Sequence, residues 1–359
     1  MILKGENTVK KALIAMSGGV DSSVCALLMK NNGYNCIGAT MKLIGEGISP
    51  SCCSDDDIAD AISVCKKLGI PHYIFNFSDN FKQYVIDSFV SAYENGCTPN
   101  PCIECNRHLK FNRLFKEADN YGCDIIVTGH YARVDFDEKS GRYLLKKAID
   151  ASKDQTYVLY SLSQEQLSKA YFPLGNMTKE QARTLASEDG FINANKKDSQ
   201  DICFIKDGRY TEFIQDYTKK QYPEGNFVDT DGKVLGKHKG IIRYTVGQRK
   251  KLGLVLPEPL YVIDVCPNTN TVVLGKEEFL FKRELYAHKI NLISVPEING
   301  EMKVKAKIRY RQSEAPATVI QTGVDEFKVI FDEPQRAITK GQSVVLYDGD
   351  TVVGGGIIK

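Results

Sequence analysis

The sequence predicts an α/β protein: a doubly wound parallel sheet followed by two smaller β-rich domains, the last a β-barrel. Three observations carry that prediction. Strand-like and helix-like runs alternate through roughly the first 150 residues, the order that lays strands parallel with helices on both faces. A glycine-rich turn separates the first strand from the first helix. After about Asp207 the helical patterns fade, and short β-type runs punctuated by Gly, Pro, Asn and Asp take over, as in small barrels.

Taken in order, KALIAM (Lys11 to Met16) is a short apolar strand, and SSVCALLMKNNG is a helix stopped at Gly33. NCIGATMKL is a second strand. DDDIADAISVCKKLG has an acidic start, with Ile58, Ile62, Cys65 and Leu68 on one helical face. HYIFNF is a third strand, DNFKQYVIDSFVSAYENG a helix, and FNRLFKEADNYG leads into the strand CDIIVTGH. Beyond Asp207 the β-type runs are GIIRYTV, LYVIDVC, TVVLG, KVKAKIRYR, ATVIQT, FKVIFD, SVVLYDG and VVGGGIIK. Ligands of such a parallel sheet sit at the carboxyl ends of its strands.

The chain of 359 residues is 42% hydrophobic and 26% charged, a composition of globular proteins. At about 150 residues per domain it holds two or three domains. Their boundaries are expected at 1–205, 206–278 and 279–359, with a helical excursion near 165–190. No run approaches the ~18 apolar residues of a membrane span, and MILKGENTVKK lacks a signal-peptide core, so a cytoplasmic protein is expected. The 11 cysteines are an odd number in a long chain, which argues for thiols in a reducing compartment. Cys25, Cys36, Cys65, Cys123 and Cys266 lie in apolar contexts and read as small buried hydrophobes. With a net charge of only +2, any nucleic-acid contact must come from local basic patches.

AMSGGVDSS, from Ala15 to Ser23, is the most informative stretch. Between a strand and a helix, Ser17, Gly18 and Gly19 form a tight turn whose backbone N–H groups converge on one anion, and the helix adds its dipole. A Cβ would block the backbone from a phosphate. The Walker pattern G-x-x-x-x-G-K-[ST] is absent. Asp21 offers a carboxylate where Mg²⁺ would bridge phosphates. The bland alternative is an ordinary glycine-rich turn. The complete string resembles the pyrophosphate loop of the ATP pyrophosphatase superfamily, which implies cleavage of ATP between α and β phosphates and adenylation of a carbonyl-type oxygen.

TPNPCIECNR places Cys102 and Cys105 three apart in a proline-stiffened polar stretch read as a loop, and KKDSQDICFI centres on Cys203 about a hundred residues later. Displacing an adenylated oxygen by sulfur needs a sulfur carrier and a second thiol to release it, and Arg107, His108 and Lys110 could lower the pKa of Cys105. A structural zinc would want a second C-x-x-C, and Cys52–Cys53 has poor ligand spacing. Sulfur transfer, an iron–sulfur site and zinc stay open, in that order.

SGGVDSS, TPNP-x-x-x-CN, TGHYAR, KDQTYVL, KKDSQDICFI, GKHKGIIRYTVGQRKKLGL and IRYRQSEAPATV follow one another, and in that order they resemble the tRNA-specific 2-thiouridylases over essentially the whole chain. The resemblance implies an adenine nucleotide α-hydrolase-like fold. It implies that ATP adenylates the C2 oxygen of the wobble uridine in tRNA of the Lys, Glu and Gln type. Sulfur then arrives as a persulfide through a cysteine desulfurase or a sulfur-relay protein, and AMP and pyrophosphate leave. By the same resemblance Cys203 bears the persulfide and Cys105 closes a disulfide with it. Ala15, Met16, Ser17, Gly18, Gly19, Val20, Asp21, Ser22, Met41 and Gly129 contact ATP. Asn100, Pro101 and Cys102 face the target base, and His130, Lys153, Asp154, Gln155, Tyr310, Arg311 and Gln342 contact tRNA. Many relatives carry Asp where this chain has Cys102. That departure makes Cys102, Cys105 and Cys203 possible ligands of a [4Fe–4S] cluster, the arrangement of related thiolases.

Two basic stretches stand out. Gly232 to Pro257 has no acid but holds Lys233, Lys237, Lys239, Arg243, Arg249, Lys250 and Lys251, with Tyr244 among them, a pattern that favours phosphate contact over a merely solvated face. In KVKAKIRYR, strand periodicity puts Lys303, Lys305, Lys307, Arg309 and Arg311 on one face and Val304, Ala306, Ile308 and Tyr310 on the other. Acids on neighbouring strands are the alternative to a polyanion there. Two other functions compete with tRNA thiolation. A small-metabolite amide synthetase would share the loop but need no paired cysteines, and a non-enzymatic RNA-binding module would not need the loop.

Overall fold

The computed structural model describes residues 9–45, 54–197 and 202–359. The chain forms two compact units, Met1–Lys82 with Cys105–Lys206 and Gln83–Glu104 with Asp207–Lys359. The central and C-terminal β regions therefore share one unit, joined by a piece of the first region. No helix among the described residues is long and apolar enough to cross a membrane.

The first unit contains β1 (Lys11–Ala15), α1 (Val20–Asn31), β2 (Asn35–Lys42), α2 (Asp55–Leu68), β3 (His72–Asn76) and α3 (Ser78–Phe81). After α5 (Pro101–Cys105) come α6 (Leu114–Asn120), β4 (Ile125–Val127), β5 (Ala132–Asp137), β6 (Arg142–Lys147), α7 (Thr156–Leu159), α8 (Gln164–Lys169), β7 (Ala170–Tyr171) and α9 (Lys179–Glu188). The sheet is parallel, in the order β3-β2-β1-β4-β7. Ala12, Leu13 and Ile14 are all fully buried, as a strand covered on both faces requires. The strand order reverses between β1 and β4, so the crevice beyond their carboxyl ends is the switch point where such sheets bind ligands.

Three details depart from the sequence reading. The buried face of α2 is Ala61, Val64, Cys65 and Leu68, while Ile62 is 44% exposed. The helix keeps its i, i+3, i+4, i+7 spacing but is rotated so that Ala61 and Val64 take the buried face, Ile58 is half-buried and Ile62 turns out. Strand–helix alternation is interrupted by the antiparallel hairpin β5–β6, turned at Gly141. The excursion near 165–190 is α8 and α9, but the two residues of β7 between them complete the sheet.

In the second unit, α4 (Asp87–Glu94) stacks Tyr93 on Tyr210 of α10 (Tyr210–Thr218). Helix formation thus continues past Asp207, contrary to expectation, with Thr211 and Ile214 buried. A four-stranded sheet runs β10 (Tyr261–Cys266), β11 (Thr271–Gly275), β8 (Gly225–Val228), β9 (Val234–His238). GIIRYTV is no strand: Ile241–Arg243 is a 3-10 turn entered at Gly240, φ +97°, a conformation that breaks strand propagation. Six antiparallel strands follow: β12 (Phe281–Leu292), β13 (Glu301–Lys307), β14 (Ala315–Gly323), β15 (Glu326–Arg336), β16 (Ser343–Asp348) and β17 (Thr351–Ile358). Their order β12-β15-β14-β13-β16-β17 closes where β17 pairs with β12. Val304, Val319, Phe327, Phe331, Val344 and Leu346 fill the barrel, as side chains do in barrels this small.

Candidate active site

The glycine-rich turn leaves the carboxyl end of β1 at the switch point. Gly18 has φ +73°, and a Cβ there would lie 2.2 Å from the Asp57 carbonyl oxygen; both backbone conformation and space demand glycine. Ser22 Oγ accepts from the Ser17 N–H at 3.2 Å and donates to the Gly19 carbonyl at 3.0 Å, folding the turn on itself. Gly19 opens α1 without a side-chain cap, which leaves first-turn amides for an anion. Gly129, at the end of β4, approaches so closely that a Cβ would stand 3.0 Å from Asp21 Cβ. Ala15 to Ser22 and Gly129 are thus brought together, and Met41 lies near the end of neighbouring β2.

Two residues not singled out from the sequence hold the turn from behind. Asn193 Nδ2 donates to the Gly18 carbonyl at 2.9 Å and to Ser23 Oγ at 3.0 Å. Lys196 Nζ reaches the same carbonyl at 3.3 Å and pairs with Asp57 at 2.7 Å and Asp60 at 2.6 Å. Burial acts to raise the Asp57 pKa, but hydrogen bonds from Lys196 and Ser54 overcome it and hold the carboxyl below its ordinary value. Burial likewise opposes the Lys196 charge, and its two aspartates outweigh that and raise its pKa. Lys196 opens the KKDSQDICFI motif, so a signal for it existed; Asn193 has none.

Asp21 is not placed as expected for a metal ligand. Lys179 Nζ stands 2.8 Å from both of its carboxylate oxygens, and the Tyr131 hydroxyl donates to Oδ1 at 2.9 Å. Both carboxylate oxygens are thus taken by an ammonium, and as held the carboxylate does not fit Mg²⁺. Tyr131 is fixed in turn: its N–H donates to Gln155 Oε1, and the Gln155 N–H donates to its carbonyl, both at 2.9 Å. Asp154 accepts from the Ala148 N–H and the Thr156 hydroxyl. Within the Lys153–Gln155 triplet, Gln155 therefore braces Tyr131, while Asp154 ties Ala148 to Thr156. His130 is buried between Phe111 and Phe172, its Nδ1 2.7 Å from Thr128 Oγ1. Burial and nearby Lys110 push its pKa well below the ordinary value; the uncharged ring supports the Gly129 turn and offers no cation to a phosphate.

The C-x-x-C stretch is a helix, not a loop. Asn100 Oδ1 accepts from the Cys102 N–H at 3.1 Å, and Pro101 begins α5, the side chains that start helices well. Gln342 Nε2 donates to the Thr98 carbonyl at 2.7 Å, the Thr98 N–H donates to the Lys340 carbonyl at 2.8 Å, and Thr98 Oγ1 meets Thr245. Gln342, expected on tRNA, thus anchors the segment leading to Cys102. Cys102 is exposed and Cys105 buried. After Cys105 the helix widens into a π-helical stretch, Asn106–Arg113, a form frequent at functional sites. Asn106 Nδ2 donates to the Val158 carbonyl at 2.8 Å, while its buried Oδ1 has no partner among the described residues.

Cys203 is half-buried, followed by buried Phe204, whose ring meets Phe81 edge-on at 5.6 Å, and buried Ile205. Asp198 to Asp201 of that motif, and Cys52 and Cys53, lie outside the described residues. Cys25, Cys36, Cys65 and Cys123 are buried, but Cys266, at the end of β10, is only half so. Burial pushes Cys36 up to about 11 and Cys65 to about 12, values of inert thiols. Among the described residues no three of His, Cys, Asp and Glu gather where they could hold a metal ion.

The basic strand ends early. β13 stops at Lys307, so the alternation expected through Arg311 fails. Arg309 turns to donate to the Ala337 carbonyl and Thr339, and Tyr310 is exposed beneath Lys307 Nζ, not in the core. Opposite Lys303, Lys305 and Lys307 in the ladders stand Thr318, Pro316, Tyr347 and Val345, none of them acidic. Arg311 is exposed. In the acid-free stretch Lys233, Lys237, Lys239, Arg249, Lys250 and Lys251 are exposed, while Tyr244 is buried against Phe227 and His238.

Comparison with known sequences agrees with this arrangement. Family models match in three consecutive parts: a "tRNA methyl transferase HUP domain" over residues 10–207, a "tRNA methyl transferase PRC-barrel domain" over 211–276 and an "Aminomethyltransferase beta-barrel domain" over 282–358. The chain is 52% identical over 354 residues, 98% of both chains, to tRNA-specific 2-thiouridylase MnmA of Clostridioides difficile. It is 50% identical over 356 residues to that of Acetivibrio thermocellus, covering 98% of this chain and 99% of the relative. The Clostridium botulinum relative is 50% identical over 357 residues, 98% of each. The domain descriptions speak of methyl transfer and the full-length relatives of thiolation; the nucleotide loop and the separated cysteines accord with the latter. This chain belongs to the tRNA-specific 2-thiouridylase family.

Proposed function

We propose that this enzyme uses ATP to replace the C2 oxygen of the wobble uridine in tRNA with sulfur. One observation carries the reading: a single unit holds both an uncapped phosphate turn at the sheet's switch point and the two cysteines of the sulfur step, Cys105 and Cys203. The uridine C2 oxygen attacks the α-phosphorus of ATP and pyrophosphate leaves. The terminal sulfur of a Cys203 persulfide attacks C2, and AMP departs with the oxygen. Cys105 thiolate then attacks Cys203 Sγ; the S–S bond to the substrate breaks, 2-thiouridine forms and a Cys105–Cys203 disulfide remains. The two electrons that reduce the transferred sulfur come from the two thiols, so a thiol reductant must reopen the disulfide each turnover. No cluster enters these steps.

A cysteine desulfurase or a sulfur-relay protein would supply the persulfide, and tRNA of the Lys, Glu and Gln type would be the substrate. The exposed cations of the 232–257 stretch and the β13 face suit phosphate contact, which positions RNA, whereas the reacting base must leave its stack. Incubation with ATP, bulk tRNA and a persulfide donor should yield equal AMP and 2-thiouridine. AMP formed without tRNA would favour a small-metabolite synthetase, and absence of AMP would leave only an RNA-binding module. Neutralising Lys303, Lys305 and Lys307 together should weaken tRNA binding and flatten its salt dependence by up to about three units of slope; an unchanged slope would move the RNA path elsewhere.

A further inference from the structure

An acidic residue in the first turn of an anion-binding helix is electrostatically adverse. Asp21 stands in that turn of α1, where its charge opposes the phosphate that the amides and the dipole attract. The structure resolves the conflict with Lys179, whose Nζ lies 2.8 Å from both Asp21 oxygens. The Lys179 side chain is only 11% exposed, and its ammonium also lies 5.9 Å from the centre of the Tyr131 ring. Its backbone is held as firmly. Thr178 and Gln181 form a capping box around the start of α9, and the Lys179 N–H donates to Asp150 Oδ2 at 3.0 Å. Burying an ion pair costs desolvation that apolar residues would avoid. A buried lysine therefore makes physical sense here as a charge kept ready where phosphate binds.

We propose that Lys179 is the resident cation of the phosphate loop and that Asp21 is its counter-ion, holding the ammonium in place instead of ligating a metal. Lys179 is a positioning and charge-supplying residue for the nucleotide's phosphates. The inference rests on the reading of the loop as an ATP site.

The test is equilibrium binding of ATP to the full-length enzyme in EDTA, with Lys179→Met, Lys179→Arg and Asp21→Asn, beside the Mg²⁺ concentration for half-maximal AMP formation. Wild-type enzyme should bind ATP in EDTA. Lys179→Met should weaken that binding at least tenfold, and Lys179→Arg, which keeps the charge, should stay within about threefold. Asp21→Asn keeps the ammonium but loosens its hold, so it should weaken binding in EDTA less than Lys179→Met does, and because the carboxylate ligates no metal it should shift the Mg²⁺ half-saturation by less than about tenfold. A melting temperature for each variant separates loss of fold from loss of charge: a purely structural lysine would lower it without altering binding in EDTA. The proposal is overturned if Lys179→Met binds ATP normally in EDTA, if Asp21→Asn raises the Mg²⁺ requirement tenfold, or if wild-type enzyme binds ATP only with a divalent ion. A wild-type enzyme that binds no ATP under either condition would instead overturn the ATP reading itself.

Discussion

The phosphate turn and the C-x-x-C helix are built on opposite plans. The inner bonds of the turn are local, Ser17, Gly19, Ser22 and Ser23 bonding one another within a few residues, and the distant Asn193 and Lys196 brace it only from behind. The segment before Cys102 takes its place from Lys340, Gln342 and Thr245, and the turn after Cys105 is bonded to Val158. A motif whose hydrogen bonds are local carries its geometry in its own letters; one whose bonds are distant carries only its chemistry. Damage to the first should disable nucleotide use, and damage to the second should disable sulfur transfer alone.

The sharpest separation should come from the cysteines. Cys105→Ser and Cys203→Ser should take 2-thiouridine below detection, a loss of at least about 10³-fold, while the tRNA-dependent release of pyrophosphate that accompanies adenylation persists for the first turnover. Cys102→Ser, at an exposed position outside the proposed steps, should keep thiolation within a few-fold; its complete loss would return the cluster to consideration. Next in size is Gly18→Ala, which sets a Cβ against the Asp57 carbonyl and strains a left-handed backbone. AMP formation should fall about 100-fold, as expected for misplaced reactants, with alkylation of Cys203 unchanged. Gln342→Ala leaves the Thr98 carbonyl without its side-chain partner, a cost of about 1 kcal/mol. Thiolation should slow roughly fivefold, and ATP binding should not move. If ATP binding weakens as much, the two plans are not separate.

The smallest effect concerns the acid limb of stability. Asp57 has a depressed pKa in the fold, so its contribution is present above its ordinary value of 3.8 and is lost as pH falls through the lower folded value. Urea unfolding between pH 5 and pH 3, on the order of that window, should show wild type losing stability more steeply than Asp57→Asn. Parallel curves would mean that the Lys196 link adds nothing measurable to the turn.

The difference in plan also explains what the sequence disclosed. The order of strands and helices in the first region and the barrel strands were legible because apolar periodicity is a local property. So was the phosphate turn. Lys179 was not: its letters, TKEQ, announce only a helix start, and its role arises from a pairing with Asp21 158 residues away. Nor could sequence separate Arg309 from the lysines before it, since the end of β13 is set by tertiary bonds to Ala337 and Thr339. His130 and Gln342 are polar letters in family motifs, yet the fold spends both on internal hydrogen bonds. The helical start at Asn100–Pro101 was readable from its letters, and the prolines concealed it by suggesting a loop.

The bond between Gln342 and Thr98 spans 244 positions. At roughly 5–20 residues per second, the ribosome needs on the order of 10–50 s after making Thr98 before the residue that fixes it exists. A chain released early would contain the whole nucleotide turn, Cys105 and Cys203, but not the anchor of the segment that leads into the helix of Cys102. The anchor of the segment before Cys102 thus exists only when nearly the whole chain has been made.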